Sequence, residues 1–174
     1  MQQACVNPQI ANIFNQVDQN RNGTISADEL QRALANGLNT PFNIKTIELM
    51  MCMFDRDMSG TMNLNEFAQL FGYIQQWQQC FQSFDRDRSG SMNSNEFHTA
   101  LTTFGYRLSG QFAEFLVRKF DRRRCGSIGF DDFICACVCL KNLTDGFKVY
   151  DHQRSGMAQF KYEEFLTVAF SVVS

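Results

Sequence analysis

The sequence predicts an all-α fold built from five helix–loop–helix motifs, and three observations support this prediction. A twelve-residue pattern with Asp first, Gly sixth and Glu last occurs three times, beginning at residues 18, 55 and 85. Apolar residues recur at helical spacing before and after each of these segments. Only two Pro occur among 174 residues, which favours long uninterrupted helices.

The three segments share a chemistry as well as a spacing. They read DQNRNGTISADE, DRDMSGTMNLNE and DRDRSGSMNSNE. Oxygen-bearing side chains stand at positions 1, 3, 5 and 12, and the Gly at position 6 permits a sharp turn. This is the order of hard oxygen ligands that an EF-hand loop offers to Ca²⁺. A simple Asp- and Gly-containing turn would explain one such segment but not three matching ones.

The predicted ligands follow from the loop positions. They comprise the side chains at positions 1, 3 and 5, the carbonyl at position 7 and a bidentate Glu at position 12. They are Asp18, Asn20, Asn22, Thr24 and Glu29 in loop one; Asp55, Asp57, Ser59, Thr61 and Glu66 in loop two; and Asp85, Asp87, Ser89, Ser91 and Glu96 in loop three. Loop one has fewer acidic ligands, which predicts weaker binding there. We expect two to three Ca²⁺ per chain.

A fourth loop, from Asp121 to Asp132, departs from the pattern in its ligands. It reads DRRRCGSIGFDD, with Arg123 at position 3 and Cys125 at position 5. A cation inside the shell would repel Ca²⁺, and the final Asp is one methylene shorter than Glu. We therefore expect a structural loop whose Ile128 pairs with Met92 of loop three.

A fifth loop reads DHQRSGMAQFKY and spans Asp151 to Tyr162. It keeps the first Asp and the Gly, but Gln153 and Tyr162 replace two ligands, so tight Ca²⁺ binding is not expected. The loops start at residues 18, 55, 85, 121 and 151, which groups them as one with two and three with four. The fifth loop is left without a partner. We expect its Ala158, at the pairing position, to meet a second chain.

The helical periodicity places the loops in one domain spanning residues 1–174. Apolar residues continue from Leu64 to Phe84 and again from Phe133 to Tyr150, which predicts two long helices that each join two loops. Asn7 is the expected cap of the first helix, and the second helix should stop near Gly37. The predicted hands are residues 7–37, 43–72, 73–105, 109–140 and 141–174.

Several segments resemble the penta-EF-hand family, in the group of sorcin, grancalcin and peflin. They are MFDRDMSGTMNLNEF, YIQQWQQCFQSFDRDRSGS, FGYRLS, FDDFICACVCLKNLTDGF and FSVV, and the resemblance covers nearly the whole chain. It implies a cytoplasmic calcium sensor that dimerises through the fifth hand and binds proteins or membranes when Ca²⁺ rises. Family members carry a long Gly/Pro-rich N-terminal tail that does not occur in this sequence, so functions of that tail are not carried over.

The fifth hand is strongly apolar, which agrees with a homodimer or heterodimer at this point of the chain. The expected interface residues are Ala158, Phe160, Tyr162, Phe165, Phe170 and Val172. The alternative is a last helix that folds back onto its own core. Phe71, Trp77 and Phe81 on the first long helix are candidates for a partner groove, with an ordinary core position as their alternative.

The net charge of the chain indicates which partners it can bind. The net charge of −2 argues against a nucleic-acid partner. Three bound Ca²⁺ would change it to +4, which would favour an anionic membrane surface, with Arg122, Arg123 and Arg124 as candidate contacts. No catalytic arrangement of residues stands out, so we do not expect an enzyme. A passive calcium buffer and a regulatory subunit of a calpain-like protease are the rival functions.

Overall fold

The computed structural model describes residues 8–34 and 41–170, so Asn7, Gly37 and Val172 lie outside the described residues. The helices are α1 Pro8–Val17, α2 Ala27–Ala33, α3 Ile44–Phe54, α4 Leu64–Phe84, α5 Ser94–Thr103, α6 Gly110–Phe120, α7 Phe130–Tyr150 and α8 Tyr162–Phe170. Two short strands, β1 Met92–Asn93 and β2 Ser127–Ile128, accompany them. The predicted all-α fold with short β contacts between loops is confirmed.

Three helices begin with a capping box, in which side chain and backbone satisfy each other's free N–H groups. The caps are Ser26 before α2, Asn63 before α4 and Asn93 before α5. Each cap accepts the N–H of a Glu three residues later, and that Glu accepts the N–H of the cap. The Glu at position 12 of each predicted calcium loop therefore also fixes the start of a helix.

The first long helix has the predicted extent, and the second begins at Phe130, three residues before the predicted Phe133. α4 and α7 each contain 21 residues. α4 runs without interruption from loop two to loop three and buries one face that includes Phe67, Leu70, Ile74 and Phe81. Loops two and three are consequently joined by one continuous helix. None of the described helices is both long and apolar enough to cross a membrane.

The loops pair in the predicted order. Ile25 and Met62 exchange two backbone hydrogen bonds of 2.9 Å each, which joins loop one to loop two. Met92 lies opposite Ile128 in the antiparallel pairing of β1 with β2, which joins loop three to loop four. All four side chains are fully buried. Loop four therefore keeps its structural role despite its altered ligands.

The chain divides into two compact units, residues 1–133 and 134–174, with the boundary inside α7. In the first unit, Phe133 is fully buried and its ring centroid lies within 6.0 Å of those of Trp77, Phe81 and Phe97. Edge-to-face packing of this kind adds stability beyond simple burial. These rings form an aromatic core around the start of α7.

The second unit brings the end of α7 against the fifth hand. Phe160 packs on Phe147 and Tyr150, with ring centroids 6.0 and 4.7 Å away. Gly146 lies so close to Val168 of α8 that a Cβ at this Gly would be 2.7 Å from a Val168 methyl carbon. α8 is thus seated on α7 at one point, yet no residue of α8 is buried.

The aromatic core gives a first prediction about stability. Phe133→Ala should lower the free energy of unfolding by about 3–5 kcal/mol, because it leaves a cavity among three packed rings. Phe115→Ala is the matched control, since Phe115 is half exposed, and should cost less than about 1 kcal/mol. Urea unfolding followed by circular dichroism measures both. Equal losses in the two variants would contradict this description of the core.

Candidate metal centres

The Asp at position 1 shapes each of the three predicted calcium loops. The Asp18 carboxylate accepts N–H groups from Asn22 and Gly23 at 3.1 and 2.9 Å. Asp55 and Asp85 accept the corresponding N–H groups of their loops at distances from 2.8 to 3.0 Å. The Gly at position 6 has a φ between 73° and 83°, a conformation that side chains disfavour. Position 6 is therefore a backbone requirement of the loop.

The Glu at position 12 joins the two ends of the loop. Glu66 accepts the N–H of Arg56 near the loop start and the N–H of Asn63 near its end, both at 3.0 Å. Glu96 makes the equivalent contacts at 3.1 Å, and Glu29 does so at 3.1 and 3.0 Å. The three Glu are 4–8 % exposed. Each presents a buried carboxylate to the interior of its loop.

Loops two and three each bring three carboxylate groups close together. Asp55, Asp57 and Glu66 each offer a carboxylate oxygen within 4.8 Å of the others, and the trio Asp85, Asp87 and Glu96 does the same. The hydroxyl and backbone N–H of Ser59 lower the pKa of Asp57, and Ser89 lowers that of Asp87 in the same way. Ionised carboxylates at this spacing fit a hard divalent cation that takes six to eight oxygens.

The remaining predicted ligands of these loops lie beside the carboxylates. The Ser59 hydroxyl donates to the Thr61 carbonyl at 3.0 Å, and the Ser89 hydroxyl donates to the Ser91 carbonyl at 2.9 Å. Positions 5 and 7 thus place oxygens next to each other along one side of the loop. The donor set fits Ca²⁺ in its chemistry, and the assignment of individual ligands stays a prediction.

Loop one has the same frame with more amides. Asn20 accepts the N–H of Asn22, and Asn22 accepts that of Thr24, both at 2.9 Å. The backbone N–H of Ser26 contributes most to lowering the pKa of Glu29, while burial opposes it. The loop therefore offers two carboxylates and two amide oxygens. This fits Ca²⁺ with less ligand charge than loops two and three.

Loop four places an arginine against its closing carboxylate. Arg122 Nε lies 3.7 Å from Asp132 Oδ1, and Asp132 is 3 % exposed. Burial, followed by the negative charge of Asp131, raises the pKa of Asp132 to about 6, while Arg122 opposes the rise. The sequence drew attention to Arg123, but the structure shows that Arg122 meets the carboxylate. Arg122 lies beside this carboxyl without hydrogen bonding to it, and Asp132 Oδ1 is buried with no hydrogen-bond partner among the described residues. A short, buried carboxyl group with a raised pKa and an arginine beside it is a poor closing ligand.

Loop five keeps the hydrogen bonds of the Asp at position 1 but has no Glu at position 12. Asp151 accepts N–H groups from Ser155 and Gly156 at 2.9 and 2.8 Å, as in the other loops. Tyr162 at position 12 is 76 % exposed. Glu164 instead accepts the N–H of Lys161 at 2.8 Å, close to the start of α8. The acidic residue of this segment serves the helix and not a metal shell, which sequence spacing did not indicate.

The predicted interface residues fall into two groups. Tyr162, Phe165 and Phe170 are exposed by 76, 55 and 62 %. Ala158 and Phe160 are half-buried, and Ala158 has no backbone hydrogen bond to a partner strand within the described part of the chain. The exposed residues and the unpaired loop position leave an apolar surface on the fifth hand.

The three predicted groove residues do not form one open groove. Phe81 is 4 % exposed and packs between Phe130 and Phe133, so in this structure it is a core residue. Trp77 is half-buried against the same core. Phe71 lines a separate cavity of about 280 Å³ between α1, α2 and α4. Helical spacing placed these aromatics on one helix but could not separate buried from open positions.

Comparison with known proteins assigns the chain to a family. The model of an EF-hand domain pair matches residues 8–72 and 74–138. The chain is 59 % identical to sorcin of Schistosoma japonicum over 164 residues, which cover 94 % of this chain and 95 % of that protein. It is 44 % identical to human sorcin over 156 residues, covering 87 and 78 % of the two chains. The chain belongs to the penta-EF-hand family.

A solved structure extends the comparison to three dimensions. It is a homolog of programmed cell death 6 protein from Leishmania major Friedlin, with a TM-score of 0.83 and 34 % sequence identity. The likeness covers 94 % of this chain and 93 % of that one. Zebrafish peflin is 41 % identical over 95 % of this chain and 62 % of its own length. The present penta-EF-hand chain is a calcium-binding protein.

Calorimetric titration with Ca²⁺ can test whether loop three binds the ion and loop four does not. Glu96→Gln should remove one binding event from the two to three expected, because the amide loses the bidentate charge while still capping α5. Asp132→Asn makes the same acid-to-amide change in loop four and should leave the number of binding events unchanged. An unchanged titration for Glu96→Gln, or a lost event for Asp132→Asn, would show that the loops are misassigned.

The buried Asp132 also predicts a pH effect in Ca²⁺-free protein. Since its folded pKa is raised to about 6, the folded chain holds a proton that the unfolded chain has released, and stability falls as pH rises through about 4 to 6. Asp132→Asn should remove this fall and raise the free energy of unfolding at pH 7 by about 3 kcal/mol. Urea unfolding at both ends of the window tests it. A pH slope equal to that of the wild type would count against the buried carboxyl.

Proposed function

We propose that this chain is a calcium sensor that dimerises through its fifth hand and attaches to protein targets or membranes when Ca²⁺ fills loops one to three. The proposal rests on the exposure of the apolar helix α8. Its sequence YEEFLTVAF is largely apolar, yet none of its residues is buried. A chain that exposes such a helix has a surface to cover.

A second copy is the partner that this surface fits best. Tyr162, Phe165 and Phe170 project large apolar side chains, and the pairing position of loop five has no partner strand in the described residues. Loop one already pairs with loop two, and loop three with loop four, through backbone hydrogen bonds. A two-fold contact between fifth loops would repeat that pairing between chains and bury the exposed rings in the same step. A related chain could take the same place in a heterodimer.

The coupling of the loops to the helices supports a sensor over a passive buffer. The carboxylates of Glu66 and Glu96 hold the N-terminal ends of α4 and α5 through capping boxes. A Ca²⁺ ion that draws these oxygens inward must act on the helices attached to them. Because α4 ends at loop three, the first and second pairs of loops share one rigid element. This arrangement supports a regulatory role for the chain.

Charge supplies the membrane part of the proposal. Three bound Ca²⁺ would change the net charge from −2 to +4, so the loaded protein would be attracted to anionic lipid. The six described cysteines are free thiols, in agreement with a reducing compartment, and we propose the cytoplasm as the location.

Dimerisation can be tested by light scattering on the full chain. Phe165→Ser with Phe170→Ser should convert a dimer into a monomer, because two exposed rings of the interface are removed. Phe112→Ser with Phe115→Ser is the matched control, since these rings are also exposed but lie on α6, and it should remain dimeric. A dimer that survives the first double change would refute the fifth-hand interface.

The sensor function has its own test. Binding of an apolar fluorescent dye should rise when Ca²⁺ is added to the wild type and stay low in Glu96→Gln. A passive buffer would take up Ca²⁺ in the calorimeter with no change in dye signal. That result would replace the sensor proposal with the buffer.

A further inference from the structure

Helix α6 exposes two phenylalanines on the side opposite its packed face. Ala113, Leu116 and Val117 are buried, whereas Phe112 and Phe115 are exposed by 39 and 50 %. The two rings contact each other, with centroids 5.8 Å apart. They belong neither to the aromatic core nor to the fifth hand. The calcium loops therefore do not account for these rings.

Basic side chains surround the exposed rings. Residues three and four apart lie on one helix face, so Lys119 follows Phe115 and Phe112 along the same stripe, with Arg118 beside it. Arg118 and Lys119 are both exposed in the last turn of α6. The helix leads into loop four, where Arg122, Arg123 and Arg124 are also exposed.

We propose that Phe112, Phe115, Arg118, Lys119 and Arg122 to Arg124, here called the α6 face, form the surface by which this chain binds anionic phospholipid membranes. The rings would enter the boundary between headgroups and acyl chains, and the basic side chains would meet lipid phosphates. The inference rests on the proposed calcium-dependent membrane attachment and names the surface responsible.

Size and charge favour lipid over a protein partner. A Phe side chain buries about 150–250 Å², so two partly exposed rings offer less than the roughly 800 Å² per partner of a stable protein interface. Arg118, Lys119, Arg123 and Arg124 beside these rings are complementary to anionic headgroups, and Arg122 adds to them a charge that it shares with Asp132. Glu114 is the one acidic residue of α6, and it is exposed without a salt bridge among the described residues.

Pairing of loops three and four connects this surface to Ca²⁺. The pairing of Met92 with Ile128 joins loop three, with its acidic trio, to loop four, with its arginines. Without Ca²⁺, Asp85, Asp87 and Glu96 add negative charge to this pair of loops and so lower its attraction for anionic lipid, an effect that salt weakens with distance. A bound divalent ion cancels most of that charge. The α6 face gains affinity for anionic lipid without any movement of α6.

Vesicle sedimentation tests the proposal on the full chain. The probes are vesicles of phosphatidylcholine with phosphatidylserine, and vesicles of phosphatidylcholine alone. Wild-type protein should sediment with the anionic vesicles when Ca²⁺ is present and should be released from them when a chelator is added. It should not bind the neutral vesicles. Phe112→Ser with Phe115→Ser should weaken binding at least about tenfold. Arg118→Gln with Lys119→Gln should do likewise, at roughly fivefold per basic residue near the surface.

A matched charge control lies elsewhere in the chain. Lys141→Gln with Lys148→Gln removes two exposed cations of α7, both paired with Asp145, and should leave vesicle binding unchanged. A calcium titration and light scattering on each variant confirm that it remains folded. Phe115→Trp provides a second measurement, because its fluorescence should shift to the blue on anionic vesicles relative to wild type, which contains only Trp77.

The outcomes separate this inference from the proposed function. Calcium-dependent vesicle binding that survives loss of both rings, or that falls equally in the α7 control, overturns the α6 face and leaves membrane attachment standing. A dimer that binds Ca²⁺ and shows dye-detected opening but no vesicle binding overturns both the membrane attachment and the α6 face. Equal binding to neutral vesicles, or no blue shift at Trp in place of Phe115, also contradicts the proposal.

Discussion

The fold depends on the carboxylate at position 12 of the calcium loops. In loop two, Glu66 accepts one N–H from the start of the loop and one from its end, at 3.0 Å each, and also caps α4. The same oxygens are the predicted bidentate ligand for Ca²⁺. One buried side chain therefore closes the loop, starts the helix and is the predicted ligand of the metal. This shared role is the basis of the proposed sensor function.

Loops four and five separate the residues that determine the backbone conformation of the motif from those that are predicted to bind the metal. In all five loops the Asp at position 1 accepts the N–H of the Gly at position 6, at 2.7 to 2.9 Å. The residue at position 4 is left-handed in all five, with φ from 52° to 56°. The loop shape thus survives the loss of other predicted metal ligands, including the closing Glu. Loop four still pairs with loop three, and loop five is followed by an exposed apolar helix.

The sequence was sufficient for features that repeat or that arise locally. The long helices and the pairing of position-8 residues follow from the spacing of apolar residues and of the loops along the chain. Contacts between distant residues were not predictable. Asp131 accepts the N–H of Asn43, 88 residues earlier, and Arg122 rather than Arg123 reaches Asp132. Periodicity also failed to separate aromatics by burial, because Phe81 lies in the core and Phe115 at the surface although both have helical spacing.

The central claim is that loops one to three bind Ca²⁺ while loops four and five keep the shape alone. The amide N–H of the Gly at position 6 reports this directly, since it donates to the position-1 carboxylate in every loop. In a nuclear magnetic resonance titration with Ca²⁺, the amide signals of Gly23, Gly60 and Gly90 should shift strongly, and those of Gly126 and Gly156 should stay near their starting positions. Strong shifts at Gly126 or Gly156, or none at Gly60 and Gly90, would contradict the account.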